Sequence, residues 1–363
     1  MRRLSLIIGL VAGCFGVAAP LAAQAPPDEI ETIRVEGKRS GPRLWRIEQG
    51  DAEIYVFASL NLLPRDLDWD SRAPASILED AIELIAPPKL NVGALDRPRM
   101  AFLFVRTWLF DRRKLNRPRG QSIGDVVGEA LEARYLAAKA SVDRALEQAK
   151  ERRRADGVVE DEGSEDDPLL DEDDAPNRRV VYVAQRLVRE AVDSIDLASS
   201  DDQVVNSLRR MARRADVEVT NLFEVGVEVS DAKIVFETIA DYTPEEERAC
   251  LEDAVVLVES RLDGLIRQAD AWARGDVEGL RANPLPVELE RCGRQLASKA
   301  GALKSLGGQA FDDIDFAGLW VDTLTERLKT PGVRLAVIPT QDWLDTGGVL
   351  DRLRAQGITV QGP

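Results

Sequence analysis

No histidine occurs in the 363 residues, so the commonest general base and zinc ligand is absent. What remains is oxygen chemistry. Ser59 and Asn61 stand just where the apolar run Ile54–Ser59 opens into a loop, a place where scaffolds usually present functional groups. A nucleophilic Ser59 would need a base, and without histidine only a carboxylate or a lysine could serve. None stands at a recognisable spacing. Zinc favours imidazole nitrogen or thiolate sulfur, and a hard ion such as Ca²⁺ favours six or more oxygens, of which only two or three are in view. Neither a metal nor another cofactor is therefore expected.

The elements that must position these residues begin at Leu44. Two short apolar runs, Leu44–Ile47 and Ile54–Ser59, are split by Gln49-Gly50-Asp51, so the stretch reads as a β-hairpin whose second strand delivers Ser59 and Asn61. Ser76–Ile85 has helical spacing and runs into Pro87-Pro88, and 102–110 reads as an apolar aromatic core helix. Ser122 with Asp125 three residues on resembles a capping box, opening a helix over about 123–153. Helical patterning resumes from Val180 and again over Val204–Arg214, and Val217-Glu218-Val219 reads as a short strand. Thr243-Pro244-Glu245-Glu246 places a cap, a first-turn proline and an acid in order, and the apolar stripe behind it runs to Gly275. A helix from Trp320, a strand over Arg334–Ile338, a helix from Val349 and a last strand at Ile358–Val360 complete the pattern.

The segment LWRI…IYVFASLNLLP…W resembles the opening of the TraB/GumN family, which includes the Tiki-type metalloproteases. In that family the strand ends in Gly-x-x-His; here Ala58 stands for the glycine and Asn61 for the histidine. LAVIPTQDWLDTGGVLDRLRAQGITV resembles the second family motif, and an ungapped register from Gly348-Val349-Leu350 puts Pro339 on its glycine and Asp342 on its histidine. AWARGDVEGL, at 271–280, matches the Trp-x-x-Gly-Asp-(Leu/Val)-x-x-Leu of GumN-like proteins and carries no chemistry. Pro87-Pro88 replace a glutamate of the family site. Asn221-Leu222-Phe223-Glu224 approaches the family's Gly-Leu-Glu-Thr only with one extra residue, and Glu224 reads as a solvated loop carboxylate. The resemblance covers nearly all of the mature chain. It implies an α/β (α+β) fold, with a central mixed β-sheet flanked by helices, and two halves whose strand ends meet in one site. That would bring Asn61 near Asp342, and the candidate ligand-binding residues are Ser59, Asn61 and Asp342.

The ends of the chain and its charge bound the rest. Arg2-Arg3, the apolar 4–19 and Leu21-Ala22-Ala23 form a secretory leader, 1–23, with 24–40 a flexible segment and 41–363 a single domain. Val11-Ala12-Gly13-Cys14 offers a rival reading as a lipobox, with a lipid anchor at Cys14. No other stretch is apolar enough over ~18 residues to span a membrane. The expected location is the periplasm or the exterior of a bacterial cell. Cys250 and Cys292 would pair in that compartment, with two buried thiols as the alternative. Residues 155–177 form an acidic insertion: from Asp156 to Asp174 there are eleven acidic residues, in no calcium-loop order, and such a run repels itself. A net charge of −16 argues against nucleic acid.

With both motif histidines and the glutamate position replaced, the sequence predicts an exported family member without catalysis. Its former cleft would bind a small molecule or peptide, or serve an accessory role. A metal-dependent hydrolase or peptidase with oxygen ligands, and an interaction protein of the cell envelope, are the alternatives.

Overall fold

A computed structural model describes residues 42–65, 67, 69–92, 115–155, 177–199, 204–227, 238–299 and 314–362. The leader, the segment 24–40, the aromatic run 102–110 and all but the end residues of the acidic insertion lie outside this set.

The strands in chain order are β1 (Leu44–Gln49), β2 (Ala52–Ser59), β3 (Leu62–Pro64), β4 (Ala81–Ala86) and β5 (Lys89–Val92). They continue as β6 (Leu197–Ser199), β7 (Glu218–Asn221), β8 (Glu224–Val227), β9 (Gly332–Pro339) and β10 (Val360–Gln361). The hairpin forms as read: β1 and β2 pair antiparallel from Leu44↔Phe57 to Gln49↔Ala52, and Gly50 takes the turn at φ 60°. The main sheet has the order β10-β1-β2-β9-β4-β7. β9 is parallel to β2 on one side and to β4 on the other, and β7 is parallel to β4. Parallel strands buried on both faces read as unbroken apolar runs, and Val56–Ser59 and Leu335–Ile338 are buried throughout. Leu78, Leu208, Trp272, Trp320 and Leu353, each from a different helix, close the sheet's core. The result is the mixed sheet flanked by helices that the resemblance implies.

Several boundaries differ from the sequence expectation: the last strand, expected at Ile358–Val360, is Val360–Gln361, and the helix expected from Trp320 starts at Phe316. The helix before Pro87 spans only Arg72–Asp80; Ala81 turns extended at ψ 144°, and Leu84–Ala86 are buried in the sheet as β4. Pairing with β9 overrides a helical spacing that is equally compatible with a short buried strand. The helix over 123–153 breaks at Gly128, whose φ of 90° and ψ of 147° separate Ile123–Val127 from Glu129–Ala155. The stripe from Pro244 is likewise two helices, Pro244–Ser260 and Leu262–Arg274, joined at Arg261. Its cap forms as read: the Glu246 N–H donates to Thr243 Oγ1 and the Thr243 N–H to Glu246 Oε2.

A candidate site at the ends of the central strands

β2 and β9 stay in register to their last residues, Ala58↔Ile338 and Ser59↔Pro339, so both chains leave the sheet side by side. Two side-chain bonds hold those exits. The indole Nε1 of fully buried Trp272 donates to the Ala58 carbonyl at 2.8 Å, and Thr340 Oγ1 donates to the Ser59 carbonyl at 2.8 Å. Trp272 also meets Phe57 edge-on at 6.1 Å. The Trp-x-x-Gly-Asp motif thus positions the strand end: Gly275 closes the tryptophan's helix in the left-handed region, and Asp276 caps the next helix through the Gly279 N–H.

Ser59 is 4 % exposed and lies within the sheet core. Asn61, two residues on, is exposed, and its Nδ2 donates to Glu290 Oε1 at 3.2 Å. Glu290 sits on the helix Val287–Lys299. That helix is pinned to Pro244–Ser260 by the disulfide Cys250–Cys292, with Cα atoms 5.2 Å apart.

Asp342 lies on the short helix Thr340–Leu344 that follows β9 and is half-buried. Burial, and then the charges of Glu290 and Asp345, push its carboxyl up to about 6. Trp320 lies close enough to favour the ionised form slightly, although its buried Nε1 makes no hydrogen bond of normal geometry. Gly348, the motif glycine, packs onto this turn: a Cβ there would lie 2.6 Å from the Asp342 carbonyl oxygen and 2.8 Å from that of Asp345. Glu290 bonds to Asn61, and its charge also reaches Asp342.

A cavity of about 390 Å³ opens beside Asn61. One wall is the helix Val180–Ser194, presenting Gln185, Val188, Arg189 and Val192; Leu289 and Glu290 supply another. Neither Ser59 nor Asp342 lines it. Arg65, also at the wall, is paired with Asp193 at 2.6 Å. Glu224 is exposed, as expected, but opens β8 and accepts from Asn221 Nδ2 at 2.6 Å.

Glu290, Arg189 and Gln185 were invisible to sequence reasoning. Each lies on an ordinary amphipathic helix, and the only pointer was Cys292, two residues beyond Glu290, which marks that helix as fixed.

The donor set does not fit a zinc ion of the kind the family's hydrolases imply. Asn61, Glu290 and Asp342 offer oxygen only, and among the described residues no three His, Cys, Asp or Glu side chains converge as a metal group would need.

A mixed sheet flanked by helices, its central strands β2 and β9 parallel and ending side by side, defines an α/β protein. A family model, that of the TraB/PrgY/gumN family, matches residues 43–362, and the chain belongs to this family. No curated protein and no solved structure matches it.

Proposed function

We propose that this is an exported, non-catalytic member of the family, a ligand-binding or accessory protein whose cleft accepts a small molecule or peptide. One observation carries the reading: the residue in the motif-histidine position, Asn61, lines an open cavity and is tied to Glu290 at its rim. A volume of about 390 Å³ suits a small ligand, and the walls combine apolar side chains with a few polar groups, as binding sites do. The leader at 1–23 supports export.

The hydrolase with altered chemistry keeps one supporting observation, the raised Asp342 carboxyl beside a second acid. An interaction role in the envelope has no comparable support, because the exposed large apolar side chains among the described residues are scattered on separate elements.

The deciding test is elemental analysis of the purified protein and of the Asn61→Ala/Asp342→Ala double variant, with thermal shifts against a small-molecule panel. Ligand-induced stabilisation of the parent, lost in the variant and without stoichiometric metal, is expected. A stoichiometric ion lost in the variant would replace this reading with the hydrolase.

A further inference from the structure

Five residues of the helix Val180–Ser194 reach the cavity, Gln185, Val188, Arg189, Val192 and Asp193, at spacings of three, one, three and one. This spacing places them on one face, with two valines as apolar floor and an amide and a guanidinium one turn apart. Among the described residues, neither the Gln185 nor the Arg189 side chain has a hydrogen-bond or ion-pair partner. The cavity's other acid–base groups are already engaged. Arg65 and Asp193 neutralise each other. Glu290 accepts from Asn61 and forms an i,i+4 ion pair with Arg294 at 3.7 Å, too long for a hydrogen bond, so its carboxylate keeps acceptor sites toward the cavity. The lining therefore presents one cation without a partner among the described residues, Arg189, on one wall and a carboxylate with open acceptor sites, Glu290, on another, with Val188, Val192, Leu197 and Leu289 around them.

Resting on the ligand-binding reading above, we propose that the cavity recognises a small zwitterion with an aliphatic body, an aliphatic α-amino acid. Its carboxylate pairs with Arg189 and accepts from the Gln185 amide. Its ammonium donates to Glu290 and to the Asn61 side-chain oxygen. Its branched side chain lies on the valine and leucine walls. A simple carboxylate would leave Glu290 with only the 3.7 Å Arg294 pair, and a simple amine would leave Arg189 unmatched, so each half of the site selects against a ligand lacking the other group.

Calorimetric titration of the purified protein with leucine, 4-methylpentanoate, 3-methylbutylamine and neutral 4-methylpentanamide tests this. Leucine is expected to bind at least about tenfold more tightly than the other three. Arg189→Gln should abolish its advantage over the amine while keeping that over the acid, and Glu290→Gln should do the reverse; both lie at the surface of helices, and circular dichroism checks their folding. Equal binding of leucine and either charged analogue overturns the zwitterion assignment. Binding of the neutral amide alone overturns it too, but leaves the ligand-binding reading intact. Binding of none of the four, with no thermal shift from any member of the wider panel, overturns both.

Discussion

Asn61 Nδ2 donates to Glu290 Oε1 over 3.2 Å, joining residues 229 positions apart. The bond fixes the loop after β2 to the helix Val287–Lys299, and it lies at the rim of the cavity. Because the pair is exposed, Asn61→Ala should lower unfolding free energy by under about 1 kcal/mol in urea titrations. Ligand-induced stabilisation of the same variant should nevertheless fall sharply. A large stability loss would show instead that the bond is structural.

Asp342 predicts a pH dependence of unusual sign. Its folded-state carboxyl is raised to about 6, so between its ordinary 3.8 and that value the folded protein holds a proton that the unfolded chain has released. Stability from this group is thus full at low pH and falls as pH rises through that window, by at most about 3 kcal/mol. Asp342→Asn should match the parent near pH 3.5 and exceed it at pH 7.5. Denaturation midpoints across that range check the crossover.

Glu83 should behave oppositely. It pairs in register with Arg334 and receives hydrogen bonds from Arg327 Nε at 2.9 Å, Arg334 Nε at 3.2 Å and Thr220 Oγ1 at 2.7 Å. Burial pushes its carboxyl up, but Arg327, Thr220 and Arg334 together outweigh burial and hold it below its ordinary value. Its contribution is present above the unfolded carboxylate range and is lost as pH falls through the lowered folded value. Glu83→Ala leaves Arg334, 4 % exposed, as an unmatched buried charge and should cost roughly 3–5 kcal/mol in chemical denaturation at pH 7. The cluster lies near the start of β9, some five residues or about 17 Å from the strand end that carries the site. Any folded Glu83→Gln protein should therefore keep its ligand response.

The disulfide links stability to the site. Closing a loop with a sequence separation of 42 stabilises by roughly 4 kcal/mol on the chain-entropy model. Reduction, or Cys250→Ser/Cys292→Ser, should lower the unfolding midpoint accordingly. It should also free the helix bearing Glu290 and weaken ligand binding more than Asn61→Ala does. Calorimetry under oxidising and reducing conditions separates the two effects, and undiminished binding after reduction would show that the helix is held by packing alone.

Local features were legible in the chain itself. The hairpin follows from two apolar runs around Gly50, the Thr243 and Ser122 caps from their acids three residues on, and the sheet's centre from unbroken apolar runs at β2 and β9. Family membership followed from motifs that keep their packing residues while their histidines are replaced. Each depends on neighbours in sequence, where backbone propensity and periodicity act. Helix ends at Gly128 and Arg261 and the conversion of 81–86 to a strand were less legible, because long-range packing against β9 and between helices decides them.

The site was only half readable. Asn61 and Asp342 could be placed at strand ends by motif register, since parallel pairing of β2 with β9 brings those ends together. The residue that bonds to Asn61 could not. Glu290, Gln185 and Arg189 lie on helices whose sequences specify an apolar face and leave the polar face open. Which of those polar side chains meets a cavity depends on how the helices pack, and for Glu290 on a covalent bond between two distant cysteines. Sequence by itself therefore determined the family, the sheet and the loss of imidazole chemistry. Tertiary structure alone decided which charges face one another, because that is a property of contacts made across hundreds of residues.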